Sequence, residues 1–151
     1  MATTRAQFTS ENSNQLQEKF VNYLMKDGKK TTARRIFKDT MAIISKKTNS
    51  DPEKIFITAI EKIKPHLEVK AKRIGGAVYQ IPLEVKPNRQ LTLACRWLLG
   101  ATRAKKGAGI AKLLAHELIE ASNEQGSAIK KKLDTEKMAA ANKAFAHFAK
   151  Y

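Results

Sequence analysis

The 151 residues suit one domain with one core, burying roughly 70% of the surface that the unfolded chain exposes. Lys and Arg number 29 against 14 Asp and Glu, a formal net charge of +15; a compact body this basic repels itself, and nucleic acid is its first partner because Lys and Arg displace the counterions of phosphates. The apolar residues, 42% of the chain, never run to the length of about 18 that a membrane span needs, and the cations are too scattered for one amphipathic membrane-surface block.

Residues 1–13 read as a polar, flexible arm. Residues 1–14 hold Arg5 as their one basic group and no apolar signal core, so the protein is expected to work in the compartment where it is made. The first helix is expected near Asn14, with Gln17 three residues on as in a capping box, and with Leu16, Phe20 and Leu24 on one face. Asp27-Gly28 stops it, and Lys29 and Lys30 sit in the turn. Thr31 or Thr32 is the candidate cap of the second helix. Ala33, Ile36, Phe37, Thr40 and Ile44 repeat there at three and four, leaving Arg34, Arg35 and Lys38 outward. Residues 46–50 read as a polar loop. Asp51-Pro52 opens the third helix, since Asp caps free amides and Pro fits the first helical position. Phe56, Ala59, Ile60 and Ile63 form its stripe, and Pro65 ends it.

The period then changes from helical to alternating. Leu67, Val69 and Ala71 alternate with Glu68, Lys70 and Lys72, and Ile81, Leu83 and Val85 alternate with Pro82 and Glu84. Gly75-Gly76 between the runs predicts a tight hairpin over residues 67–85, with Pro82 on an edge. Such a ribbon leans on the helices or projects as an arm. Leu91, Ala94, Cys95, Leu98 and Leu99 stripe a fourth helix. Ile110, Leu113, Leu114, Leu118 and Ala121 stripe a fifth, which Gly126 stops. Met138, Ala141, Phe145 and Phe148 stripe a sixth, with Asp134 and Thr135 as candidate caps and Lys130, Lys131 and Lys132 in the loop before it. The expected fold is mainly α: a single domain, residues 14–151, of about six helices with one protruding β-hairpin between the third and fourth.

Catalysis finds little support. His116-Glu117 lacks the second histidine of a zinc protease motif, and His66, His116 and His147 show no metal spacing. Gly75-Gly76 lacks the Lys and Ser/Thr of a phosphate-gripping loop. Cys95, the only cysteine, excludes an intrachain disulfide and a cysteine-based zinc site, and on an apolar stripe its thiol is inert. No enzyme activity, cofactor, metal, membrane or small-molecule substrate is expected.

The cations are better organised. Arg89, Arg96 and Arg103 are seven apart, nearly two turns, and line one face of the fourth helix, extended by Lys105 and Lys106. Few acids lie between them, and guanidinium forks suit phosphate oxygens. Lys70, Lys72 and Arg73 climb the ribbon, and Tyr79 descends it. That ring either stacks on an unpaired base or packs on the ribbon itself. Lys143, His147 and Lys150 lie opposite the last Phe stripe. Patches on several faces favour a folded, wrapping polyanion.

Four stretches carry a family resemblance. Residues 69–85, VKAKRIGGAVYQIPLEV, resemble the signature of small-subunit ribosomal protein seven in its bacterial and organellar form. DGKK at 27–30, LACRWLL at 93–99 and MAAANKAFAHF at 138–148 resemble its first interhelical turn, fourth helix and last helix, in order along residues 20–148. The resemblance implies six helices with a protruding hairpin. It implies binding to the 3′ major domain of small-subunit rRNA, nucleation of head assembly beside neighbouring head proteins, and a hairpin and last helix near the exit tRNA and mRNA path. Carried over, Lys29, Lys30, Arg96, Arg103 and Lys130, Lys131 and Lys132 match rRNA-contacting positions. Arg34, Arg35, Lys70, Lys72, Arg73, Arg89, Lys105, Lys106 and Lys143 join them as candidates. Residues 72–80 match the exit-site hairpin, with Arg73, Gly75, Gly76, Tyr79 and Gln80, and Lys143 and His147 lie in the same region. The chain departs from many bacterial members in its Arg-poor start, in Lys132-Leu133 where they place an arginine, and in ending at Tyr151. The expected place is the ribosome of a bacterial cytoplasm or of an organelle, mitochondrial matrix or plastid stroma, and the short ends favour an organelle-encoded copy. The rival readings are an architectural DNA-binding protein and an RNA-modifying enzyme.

Overall fold

The computed structural model describes residues 15–150. Along the chain run α1 (Gln15–Leu24), α2 (Lys30–Thr48), α3 (Pro52–Ile63), a hairpin of β1 (Leu67–Ile74) and β2 (Ala77–Glu84), α4 (Pro87–Ala104), α5 (Ile110–Ser122), α6 (Ser127–Ala141) and a closing 3₁₀ helix (Lys143–Lys150). The fold is mainly α with one hairpin between α3 and α4, as the switch of hydrophobic period requires. The arm read over residues 1–13 and the Asn14 cap lie outside the described residues. Gln17 Nε2 donates to Glu53 Oε1 of α3 at 3.3 Å.

The apolar stripes meet in one core. Phe20, Phe37 and Phe56, from three different helices, form a ring cluster with centroids 5.2–5.8 Å apart and tilted to edge-on planes. Ile44, Ile60, Ile63, Leu98, Leu114 and Leu118 surround them, all fully buried. Each such side chain contributes roughly 1.5–3 kcal/mol by leaving water. That makes the helices rigid mounts for whatever their outer faces carry.

Local chemistry sets the boundaries. Asp27 and Gly28 take positive φ, 54° and 73°, and reverse the chain after α1. Asp51 Oδ1 accepts the Glu53 amide at 3.1 Å, with Pro52 first in α3. Gly75 and Gly76, at φ 58° and 85°, close the hairpin in the register Ile74↔Ala77 through Leu67↔Glu84. Two positive φ values in a two-residue loop match the right-handed twist of the strands.

Three expected boundaries are corrected. Thr31 and Thr32 do not cap α2: the helix starts at Lys30, and its N-cap, Lys29, makes no side-chain cap. Residues 46–48 are the last turn of α2 and not a loop, because Asn49 takes φ 50° and its amide closes on Ser45 O at 3.1 Å. The sixth helix starts at Ser127, so Lys130, Lys131 and Lys132 are helical, and Asp134 and Thr135 are interior. Lysines are good helix formers, and a polar run resembles a loop only when propensity is ignored. The helix breaks at Asn142, and Phe145 and Phe148 fall on the 3₁₀ segment. Residues three apart eclipse in a helix of three residues per turn. That conformation puts both rings on one side, with planes 17° apart, whereas Met138 and Ala141 stay exposed on α6.

Candidate nucleic-acid interface

The hairpin does not stand alone. Tyr79 lies 5.1 Å from Phe145 and 5.2 Å from Phe148, centroid to centroid, so the 3₁₀ helix is folded onto the ribbon. Lys72, paired with Tyr79 in register, donates from Nζ to Phe148 O at 3.5 Å. Tyr79 thus packs on the 3₁₀ helix, a partner the sequence reading did not offer, and stays half-buried. Lys70, Arg73 and Gln80 remain exposed, as do the Gly75-Gly76 tip and Val78 beside it. Lys143 and His147 are exposed on the 3₁₀ helix, and His147 Nδ1 lies 3.0 Å from Ala144 O.

The arginine line on α4 divides by task. Arg96 is exposed and has no acidic partner among the described residues. Arg89 Nε sits 3.5 Å from Glu68 Oε2. Arg103 reaches back to α1, where Nη2 donates to Leu24 O at 3.2 Å. A cation on the last carbonyls of a helix also complements its dipole. Beside it, Lys26 and Lys29 line a cleft floored by Leu24, Ala33 and Ile36.

Other predicted cations are engaged by groups of the fold. Lys30 Nζ and Arg34 Nη2 both stand 3.4 Å from Glu18 Oε2, a largely buried carboxylate. Lys132 Nζ donates to Lys62 O at 2.9 Å. Lys105 Nζ lies 2.6 Å from Glu117 Oε2 and 3.2 Å from Glu120 Oε2. The hydrogen bond to Glu117 holds the Lys105 ammonium above its usual pKa. Arg35, Lys106, Lys130 and Lys131 stay exposed.

Glu117 escaped the sequence reading. It is fully buried, and its Oε1 accepts the Ala128 amide at 3.0 Å, supplying the cap that α6 lacks locally. The signal was available: Glu117 stands three after Leu114 and four before Ala121, on the apolar stripe itself. Lys26, Lys47 and Lys112 were also missed, because they join the surface only through tertiary packing. No group of three or more His, Cys, Asp or Glu is placed to hold a metal among the described residues. Burial pushes the Cys95 thiol up to about 12, so it carries little nucleophilic thiolate at neutral pH. The arrangement can hold polyanions by charge and shape.

Comparison with known proteins agrees in one direction. The family described as Ribosomal protein S7p/S5e matches residues 2–143. A protein called small ribosomal subunit protein uS7 from Nitratidesulfovibrio vulgaris (strain DP4) is 49% identical over 136 residues, covering 90% of this chain and 87% of its own. Its namesake from Natranaerobius thermophilus is 51% identical over 130 residues, 86% of this chain and 83% of its own. That of Prochlorococcus marinus (strain NATL1A) is 46% identical over 136 residues, 90% and 87% of the two chains.

Proposed function

The chain belongs to the ribosomal protein S7p/S5e family, a structural and non-enzymatic family, and from that premise we propose how it serves the small ribosomal subunit. It is a scaffold that binds the 3′ major domain of small-subunit rRNA and nucleates assembly of the subunit head. Its hairpin and C-terminal segment lie toward exit-site tRNA and mRNA, and its outer faces meet neighbouring head proteins. It works on the ribosome, in a bacterial cytoplasm or an organelle.

The observation that carries this reading is Arg96. A guanidinium with no acid to answer it among the described residues is exposed on a helix whose other face, at Cys95, Leu98 and Leu99, is locked in the core. Lys106, Lys130, Lys131 and Arg35 repeat the arrangement on other elements. Fixed cations hold folded RNA by neutralising phosphates where its helices converge, and the binding is therefore salt-dependent.

Salt-titrated filter binding to a 3′-domain rRNA fragment tests it. Arg96→Ala is expected to weaken binding and leave the melting temperature unchanged. Unchanged binding would count against the reading. Deleting residues 73–79 is expected to spare rRNA affinity and disturb exit-site tRNA handling; loss of all rRNA affinity would make the hairpin the main anchor. Competition with duplex DNA at physiological salt separates the architectural DNA-binding rival, and co-sedimentation with small subunits in high salt tests the location.

A further inference from the structure

We infer that Lys143–Lys150 is a strap with two positions. Closed, it lies as a 3₁₀ helix over the Tyr79 ring of the hairpin; released, it turns about Asn142, continues α6 as α-helix and bares that ring. The device belongs to the fold itself and stands whether or not the chain binds RNA.

Four observations carry it. The segment, KAFAHFAK, suits an α-helix, with no glycine, proline or β-branched side chain in it. Yet it runs eight residues as 3₁₀, where three or four is the usual length because the hydrogen-bond geometry is poorer. The closed form therefore leans on contacts outside the segment, and these are modest. No side chain of the segment is buried, and among the described residues the ribbon holds it through Tyr79 against Phe145 and Phe148 and through Lys72 Nζ on Phe148 O at 3.5 Å. The bend is confined to one residue. Asn142 takes φ −99° and ψ 15°, and its amide still donates to Met138 O at 3.1 Å, four residues back as in an α-helix. Turning its ψ by roughly 60° restores the helical value. Its side-chain Nδ2 donates to the same carbonyl at 2.8 Å, which favours the stop. Finally, the released form has a place for its rings. In α geometry Met138, Ala141, Phe145 and Phe148 stand three and four apart on one face, so release joins the two Phe rings to Met138, which is 49% exposed on α6. The helix lengthens by about two turns, roughly 12 Å. The two positions exchange half-burial of three rings for better backbone hydrogen bonds, and both sides of that balance are small.

Spin labels on Q80C and A149C of the full chain test the strap by pulsed distance measurement. Both positions are exposed, Gln80 points to the opposite side of the strand from Tyr79, and buried Cys95 stays unlabelled. The parent is expected to show a short distance and a minor longer one. Tyr79→Ala removes the closed partner and should make the longer distance the major one. Asn142→Ala removes the side-chain stop and should raise the longer-to-shorter ratio by roughly threefold from helix propensity alone. Far-UV circular dichroism should show helicity kept or increased in both variants. The short distance unchanged in both variants overturns the strap. A longer distance with helicity lost makes the freed segment a frayed coil and overturns the continued helix.

Discussion

Replacing Glu117 tests how the basic faces are held in place. The carboxylate is fully buried and joins three elements: its own α5, the Ala128 amide at the start of α6 and Lys105 at the end of α4. Glu117→Ala leaves the buried Ala128 N–H without an acceptor, costing about 1–3 kcal/mol. It also opens a void where the side chain stood, adding roughly 1 kcal/mol. The lost ion pair contributes less, because Lys105 is part-exposed, can turn to water and keeps Glu120 at 3.2 Å. The sum is about 2–4 kcal/mol, or a fall in melting temperature of roughly 5–15 °C for a chain of this size. Glu117→Gln keeps an oxygen for Ala128 and fills the space, so it is expected to cost about half as much. Glu117→Met fills the space without the acceptor and should fall between the two. Urea unfolding followed by circular dichroism orders the three. A Gln variant as unstable as Ala, or an Ala variant within about 0.5 kcal/mol of the parent, would refute the capping argument.

Five further outcomes follow from the same geometry. Gly126 takes φ 94° and ψ 173°, and a Cβ there would stand 3.0 Å from Glu117 Oε1 and 3.1 Å from Glu120 Cβ, so Gly126→Ala should destabilise by about 1–3 kcal/mol in the same unfolding assay. Cys95, raised by burial to about 12, should resist a thiol reagent at pH 8 until the protein unfolds; fast labelling of the folded protein would contradict its burial. Because its folded pKa lies above the unfolded value, its contribution is intact below about pH 9 and is lost as the pH climbs toward 12, and raised Lys105 acts in the same direction, so melting temperature should drop through that alkaline range. Tyr79→Ala should speed amide exchange in Lys143–Lys150 with little change in global melting, and unaltered exchange would mean the ring does not hold that segment. Lys132→Gln should lower the melting temperature, whereas Lys131→Gln should lower only the salt slope of rRNA binding; the reverse pattern would undo the assignment of the two neighbours.

What could be read in advance follows from the range of the forces involved. Helix stripes and the Gly75-Gly76 turn are local, so α1 to α5 and the hairpin were legible within a few residues. Asp51-Pro52 announced α3 because cap and first-turn chemistry lie within three residues. The start of α6 was not legible, since its cap is Glu117, eleven residues upstream in the preceding helix. The 3₁₀ ending was hidden for a similar reason: Phe145 and Phe148 choose a three-residue repeat to reach Tyr79, a partner far away in sequence. The site shows the same split. Arg96 was legible as an outward arginine beside a core stripe, but nothing in the chain order said that Lys105 would turn in or that Lys47 and Lys112 would line one groove.

The inward and outward cations are not scattered independently. Lys30 pairs with Glu18 while Lys29 is exposed. Arg34 and Arg35 are both exposed, and Arg34 reaches the same carboxylate. Lys72 holds Phe148 O beside exposed Arg73, Lys105 holds Glu117 beside exposed Lys106, and Lys132 holds Lys62 O beside exposed Lys131. Adjacent residues point to opposite sides of a strand and about 100° apart on a helix, so a basic pair can split its two charges between two environments, whereas Lys46-Lys47 and Lys130-Lys131 keep both outward. One member spends its donors on the fold and thereby fixes the backbone under the other. A flexible lysine on a loose loop would lose conformational entropy on gripping a phosphate, whereas one mounted beside an anchored neighbour has already lost much of its backbone share. The high net charge therefore does two jobs, and where a basic pair splits, its doubled residues allow both.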